Sequence, residues 1–260
     1  MIINPYLVQP SGPSYGTLTT AWIAATGETD LTILGALNTL ETHLTTYGLT
    51  SKMKALYPFV GGTASKHSYN FMNTAQYQIT WNGGLTHSSN GVLPNGTNGY
   101  GNTGFLPSSL ASANSNSIGY YIRTVNTAAS ADPVNFGSFL GSDNSTLLNT
   151  ASTLTSRLNS GLISGSITGG TGFFSSSRTS STVTTVYKNS TSVATGNSGG
   201  GLNSLALYIG TLNLTGTPYA SGYVNSQFAF AYMGDGLSST EIGNFYTAVQ
   251  AFQTTLSRQV

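Results

Sequence analysis

A chain of 260 residues and 27.0 kDa can bury a large core, and an all-β sandwich of this length commonly forms one domain. Charged residues make up 6% of it, against roughly a quarter in an ordinary soluble protein. The formal charge is +1, with eight Lys and Arg against seven Asp and Glu and no Cys, which excludes an electrostatic footprint for nucleic acid or anionic lipid, disulfides, and thiolate metal sites.

Residues 1–28 hold Pro5, Pro10 and Pro13 among Gly, Ser and Thr, and are read as an extended arm that tethers a single domain over residues 29–260. The start Met1-Ile2-Ile3-Asn4-Pro5 has no basic region followed by an apolar one, so no export signal is expected. Over residues 29–47 the apolar Ile33, Leu37, Leu40, Leu44 and Tyr47 step by three or four, Thr29 or Asp30 can cap the start, and Gly48 follows, which predicts an amphipathic helix. Residues 51–56 read as a further helical turn that ends before Pro58.

Tyr77, Ile79 and Trp81 alternate ahead of Asn82-Gly83-Gly84 and predict a strand and a reversal. Further short strands are expected at residues 117–125, 135–140, 172–178, 182–188, 205–209 and 227–233, separated by Gly, Asn and Ser-rich turns. Leu147, Ala151, Leu154 and Leu158 step at helical spacing among poor helix formers. Residues 189–201 read as a long surface loop. At the end, Ser238 and Glu241 fit a capping box, and Ile242, Phe245, Val249, Phe252 and Leu256 form a stripe for a closing helix.

The carboxylates are Glu28, Asp30, Glu41, Asp132, Asp143, Asp235 and Glu241, and no two lie at i, i+2 on a predicted strand. A glycosidase needs two carboxylates about 5–9 Å apart across the scissile bond, which leaves only a distant pair such as Asp132 with Asp235. His43, His67 and His87 lack metal-binding spacing, with His43 on the first helix and the other two in loops. Two G-x-S-x-G matches, at residues 12–16 and 196–200, do not lie between a strand and a helix as a nucleophile elbow must. Asp235, in Gly234-Asp235-Gly236, braces a turn rather than a calcium site, which would gather six to eight oxygens. No enzyme activity, metal or cofactor is expected.

Aromatic rings are the remaining binding candidates, because a neutral sugar is held by stacking and hydrogen bonds rather than by charge. Tyr100 lies between Gly99 and Gly101 in a polar segment. Tyr120 and Tyr121 point to opposite sides of a strand, so one of them turns away from the core. Tyr100 and Tyr121 are therefore the ligand-binding candidates, while Trp81 is assigned to the core face.

The segment Phe228-Ala229-Phe230-Ala231-Tyr232-Met233-Gly234-Asp235-Gly236-Leu237 and the helix start Ser238-Ser239-Thr240-Glu241-Ile242 resemble the end of laminin-G-like, concanavalin A-like jelly-roll modules of tailed-bacteriophage virion proteins. Residues 52–62, 94–100 and the hairpin of 177–189 resemble the same group, so the likeness spans roughly residues 50–258. It implies a mainly β, two-sheet antiparallel jelly-roll sandwich with an N-terminal helix and a C-terminal closing helix. It also implies a virion location, as a tail fibre, tail adaptor or capsid decoration protein, with other virion proteins as partners in a homo-oligomer or array. The expected role is structural; the alternative is a glycan-binding protein that recognises a host receptor, with a cell-surface glycan as partner and neither nucleic acid nor membrane insertion involved.

Overall fold

The computed structural model describes residues 14–159, 161–196 and 199–260 and forms the expected two-sheet sandwich. The first sheet runs in the order β13 (Thr191–Gly196), β12 (Thr184–Lys188), β11 (Gly172–Arg178), β6 (Asn116–Ile122), β17 (Phe228–Gly234), β4 (Gly91–Pro94) and β3 (Leu85–Ser88), with β1 (Met53–Tyr57) also paired to β17. The second runs β10 (Ile163–Ser166), β9 (Thr153–Leu158), β8 (Asp143–Asn149), β7 (Phe136–Leu140), β14 (Tyr208–Ile209), β5 (Tyr100–Asn102) and β2 (Thr80–Asn82). A short pair, β15 (Leu212–Leu214) and β16 (Thr217–Pro218), joins this sheet where β15 runs parallel to β7.

Three helices cover the outer face of the first sheet: α1 (Thr17–Thr26), α2 (Leu31–Thr46) and α4 (Ser239–Thr255). That sheet is therefore buried on both sides. Every residue of β6, β11 and β17 is buried, with Phe228, Ala231 and Met233 facing the second sheet and Phe230 and Tyr232 facing the helices. This accounts for the unbroken apolar run of β17, where a one-sided strand would alternate. The serines of β11 tolerate the same burial because each hydroxyl has a partner. Ser175 Oγ meets Tyr232 OH at 2.6 Å, Ser156 Oγ donates to Ser176 Oγ across the sandwich at 2.8 Å, and Ser177 Oγ donates to the Leu237 carbonyl at 2.7 Å.

Both long helices begin as the sequence predicts. The Asp30 carboxylate accepts from the amides of Thr32 and Ile33, and Ser238 and Glu241 form the capping box, with Glu241 also paired to Lys52 at 2.5 Å. Phe245, Val249 and Phe252 are fully buried against Phe173, Phe230 and Tyr232.

Four local expectations are corrected by tertiary contacts. Residues 17–26 of the supposed extended arm are helical, while residues 1–13 lie outside the described residues. Gly16 offers no capping side chain. Instead Glu41 of α2 reaches across, Oε1 accepting from the Leu18 amide and Oε2 from the Thr19 amide, both at 2.9 Å, and Trp22 is buried with its ring edge against Tyr69 and Phe71. Residues 53–57 form β1 rather than a helical turn, because pairing with β17 and burial on both faces outweigh the helix propensity of Lys, Met, Ala and Leu. Residues 147–158 form the β8–β9 hairpin, in which Leu147, Leu154 and Leu158 alternate into the core. Residues 191–196 extend the first sheet as β13, entered through Asn189 at φ 56°.

Candidate functional site

Among the described residues the helices cover the first sheet, and the outer face of the second carries no long helix. The short helix α3 (Ala64–Ser68) reaches only its edge at β2. Register decides what the open face presents. Thr80, Asn102, Tyr208, Gly137, Thr146 and Arg157 are successive cross-strand partners and lie in one row on that face.

Tyr100, two residues before Asn102, shares the face by the period of two. Its partly exposed ring packs on Tyr208, with centroids 4.8 Å apart at 31°, and lies 6.5 Å from Tyr223. Tyr208 and Tyr223 are 7% and 8% exposed and back the outermost ring. Burial, and the neighbouring Tyr100, push both phenols above their ordinary value, so they are neutral donors at physiological pH. Among the described residues none of the three hydroxyls is engaged in a hydrogen bond. The sequence points to Tyr100; it gives no signal for Tyr208 and Tyr223, which lie more than a hundred residues away and reach it only through β14 and the loop after β16.

That loop also builds a second feature. Tyr219 donates its hydroxyl to Asp132 Oδ2 at 2.9 Å, which raises the phenol's pKa through that bond, and the Asp132 and Val134 amides bind the carbonyls of Ser221 and Gly222. Between Asp132 and Arg157 lies an open cleft of about 360 Å³ floored by Phe139, Leu148, Leu212 and Leu214.

The other candidates are used inside the fold. Tyr121, expected on a binding face, is fully buried under α4, where its hydroxyl accepts from the Val260 amide and has Gln250 Oε1 and the Val260 carbonyl as acceptors for its one proton. The helices cover the side of β6 that the sequence leaves open, so Tyr121 offers no face to a ligand. Trp81 is partly buried against Phe59 and His87, its Nε1 donating to the Ala64 carbonyl. Asp235 pairs with Lys54 at 2.8 Å on the first sheet, whereas Asp132 serves Tyr219 beside the second, so these carboxylates do not form a catalytic pair. A larger cavity of about 470 Å³ between α2 and the end of α4 has no ring in its lining, and its Glu28 and Lys66 neutralise each other at 3.0 Å.

His67 and His87 lie on α3 and β3 rather than in loops, and their Nδ1 atoms meet at 3.0 Å. Burial, together with the charges of His87 and Arg258, pulls His67 down to about 3. Among the described residues no three His, Asp or Glu gather as a metal-binding set.

The chain matches no protein-family model and no curated protein. Solved structures share its fold. A receptor-binding domain aligns over 80% of this chain and 53% of its own length at 13% identity, TM-score 0.53. The binding domain of botulinum neurotoxin DC in complex with rat synaptotagmin II aligns over 77% and 52% at 13% identity, TM-score 0.51. Domain 4 of AbnA, a GH43 extracellular arabinanase from Geobacillus stearothermophilus, solved with arabinotriose, aligns over 75% and 98% at 17% identity, TM-score 0.49. The chain spans about half the length of the two binding domains, and identities this low establish the jelly-roll sandwich alone.

Proposed function

We propose that this protein is a non-catalytic carbohydrate-binding module that recognises a cell-surface glycan through the open face of its second sheet. The observation that carries the reading is the ring of Tyr100, partly exposed and held by Tyr208 and Tyr223. A sugar's apolar face stacks on an aromatic ring, and a ring already packed on two others loses little freedom on binding. The unengaged hydroxyls of the trio and the Asp132–Tyr219 pair supply the few polar groups that orient a ligand in such sites. The receptor-binding neighbours agree with a binding role. The seven carboxylates serve as caps, ion pairs or loop braces, and this is why binding is preferred to hydrolysis.

Tyr100→Ala is expected to weaken binding about tenfold, from the loss of roughly 1–1.5 kcal/mol of ring contact, with the melting temperature little changed. Glycan-array binding followed by calorimetry on wild type and variant measures this. Wild-type protein that binds no glycan, or a variant that binds as tightly as wild type, would overturn the assignment.

For location we propose the surface of a bacteriophage virion, supported by the resemblance of residues 50–258 to jelly-roll modules of tailed-phage virion proteins. A module of this kind would there serve adhesion to a host as well as structure. Mass spectrometry of purified particles is expected to find the intact chain; its absence would remove the virion part of the reading and leave the binding part standing.

A further inference from the structure

Resting on that reading, we infer that the glycan is an acidic one, and that Arg157 in the cleft beside the tyrosines binds its carboxylate. Seven of the eight cationic side chains have partners. Lys52, Lys54 and Lys66 pair with Glu241, Asp235 and Glu28, while Arg123, Arg178, Lys188 and Arg258 donate to backbone carbonyls. Arg157 is the exception among the described residues, with no hydrogen bond or ion pair. In a chain with so few charges, a half-buried guanidinium near the end of β9 and without an acceptor is an unused recognition group.

Its surroundings restrict what it accepts. The cleft, at about 360 Å³, falls at the small end of ligand pockets and suits one sugar ring. Leu148, Leu212 and Leu214 give an apolar floor for the ring, and the planar fork of Arg157 matches a carboxylate in bidentate geometry. Asp132 also lines the cleft, holding the Tyr219 hydroxyl. Its negative charge accepts sugar hydroxyls and repels a second anionic group. The site therefore fits a saccharide with one carboxylate and several hydroxyls, and disfavours polyanions such as nucleic acid or sulfated polysaccharide.

The cleft and the tyrosines can serve one ligand. Tyr208, Gly137, Thr146 and Arg157 are successive partners in the same row, which puts three strand spacings, or about 14 Å, between the first and the last. Gly137 contributes no side chain between them. Gly137 and Thr146 are buried, so the tyrosines and the Arg157 cleft are two subsites at the ends of one row, each taking its own part of an oligosaccharide.

The test uses the full chain on an array of oligosaccharides ending in a hexuronate or a nonulosonate, each beside its carboxyl-reduced counterpart. At least one acidic form is expected to bind ten or more times tighter than its reduced form, and which one identifies the sugar. Arg157→Gln should abolish that preference while leaving affinity for the reduced form within twofold, and Arg157→Lys should restore part of it. Circular dichroism and the melting temperature should be unchanged, since the side chain has no partner to lose. Equal binding of acidic and reduced forms, or an acid preference that survives Arg157→Gln, overturns the inference yet leaves the module reading intact if Tyr100→Ala still weakens binding. Stronger binding to heparin or DNA than to any single-carboxylate sugar also overturns it. Absence of binding to every saccharide overturns both.

Discussion

Arg258→Ala is expected to lower the unfolding free energy by on the order of 3–5 kcal/mol, from buried carbonyls left without a donor and from the cavity left behind. The guanidinium is 1% exposed and meets no carboxylate. Its Nε donates to Gln253 Oε1 at 2.9 Å, Nη1 to the carbonyls of Phe59 at 2.8 Å and Ser89 at 3.4 Å, and Nη2 to those of Pro58 at 3.1 Å and Ala229 at 3.0 Å. One side chain thus fastens the end of α4 to the segment after β1, to the β3–β4 turn and to β17. Burial, with the nearby charge of Arg123, lowers its pKa to about 9, which still leaves it protonated at neutral pH. Truncation strands buried carbonyls at about 1–3 kcal/mol each and opens a void beside Phe252. Arg258→Lys should recover only part of the loss, because an ammonium cannot span acceptors on three segments. Urea unfolding of both variants checks this. A loss below about 1 kcal/mol for alanine would show that the network closes without the guanidinium.

The second large effect is a loss of stability in acid centred on His67. The ring is 1% exposed, lies between Phe59 and His87, and has Arg258 close enough to disfavour a further positive charge. Its Nε2 is buried without a partner. An orphaned acceptor is more tolerable than an orphaned N–H, so the proton belongs on Nδ1, which donates to His87 Nδ1. In the unfolded chain the same group titrates near 6.5, whereas in the fold it titrates at about 3. The unfolded state therefore holds more protons between those values, and stability must fall as pH drops from about 6.5. At 1.36 kcal/mol per unit the full loss approaches 4–5 kcal/mol near pH 3. His87, also lowered by burial, acts in the same direction.

Between pH 6.5 and 5 Glu28 and Glu241 contribute little. Burial would raise Glu28 and Glu241, but hydrogen bonds and the adjacent lysines hold both below 4.5, so their contribution is lost only in stronger acid. Unfolding free energies measured across that window should drop by about 2 kcal/mol for wild type, and His67→Phe should flatten the slope. An identical slope in the variant would assign the acid sensitivity to other groups.

Sequence alone determined the features whose physics is local. The caps at Asp30 and Ser238, the apolar stripes of α2 and α4, and the strands β6, β7, β11, β12 and β17 follow from spacing and from residue types that satisfy their own backbone. Tyr100 was legible for the same reason, as a ring between glycines in a polar stretch. Tertiary structure decided wherever a partner distant in sequence sets the outcome. Glu41 turns a Gly and Thr-rich segment into α1; β17 turns Lys-Met-Lys-Ala-Leu into a strand; and helices on one sheet hide Tyr121 while leaving Arg157 in the open. Alternation along a strand tells which residues share a face, yet not which face a helix will cover. For that reason the row from Tyr208 to Arg157, assembled from four strands, could be seen only once the register and the covered side were known.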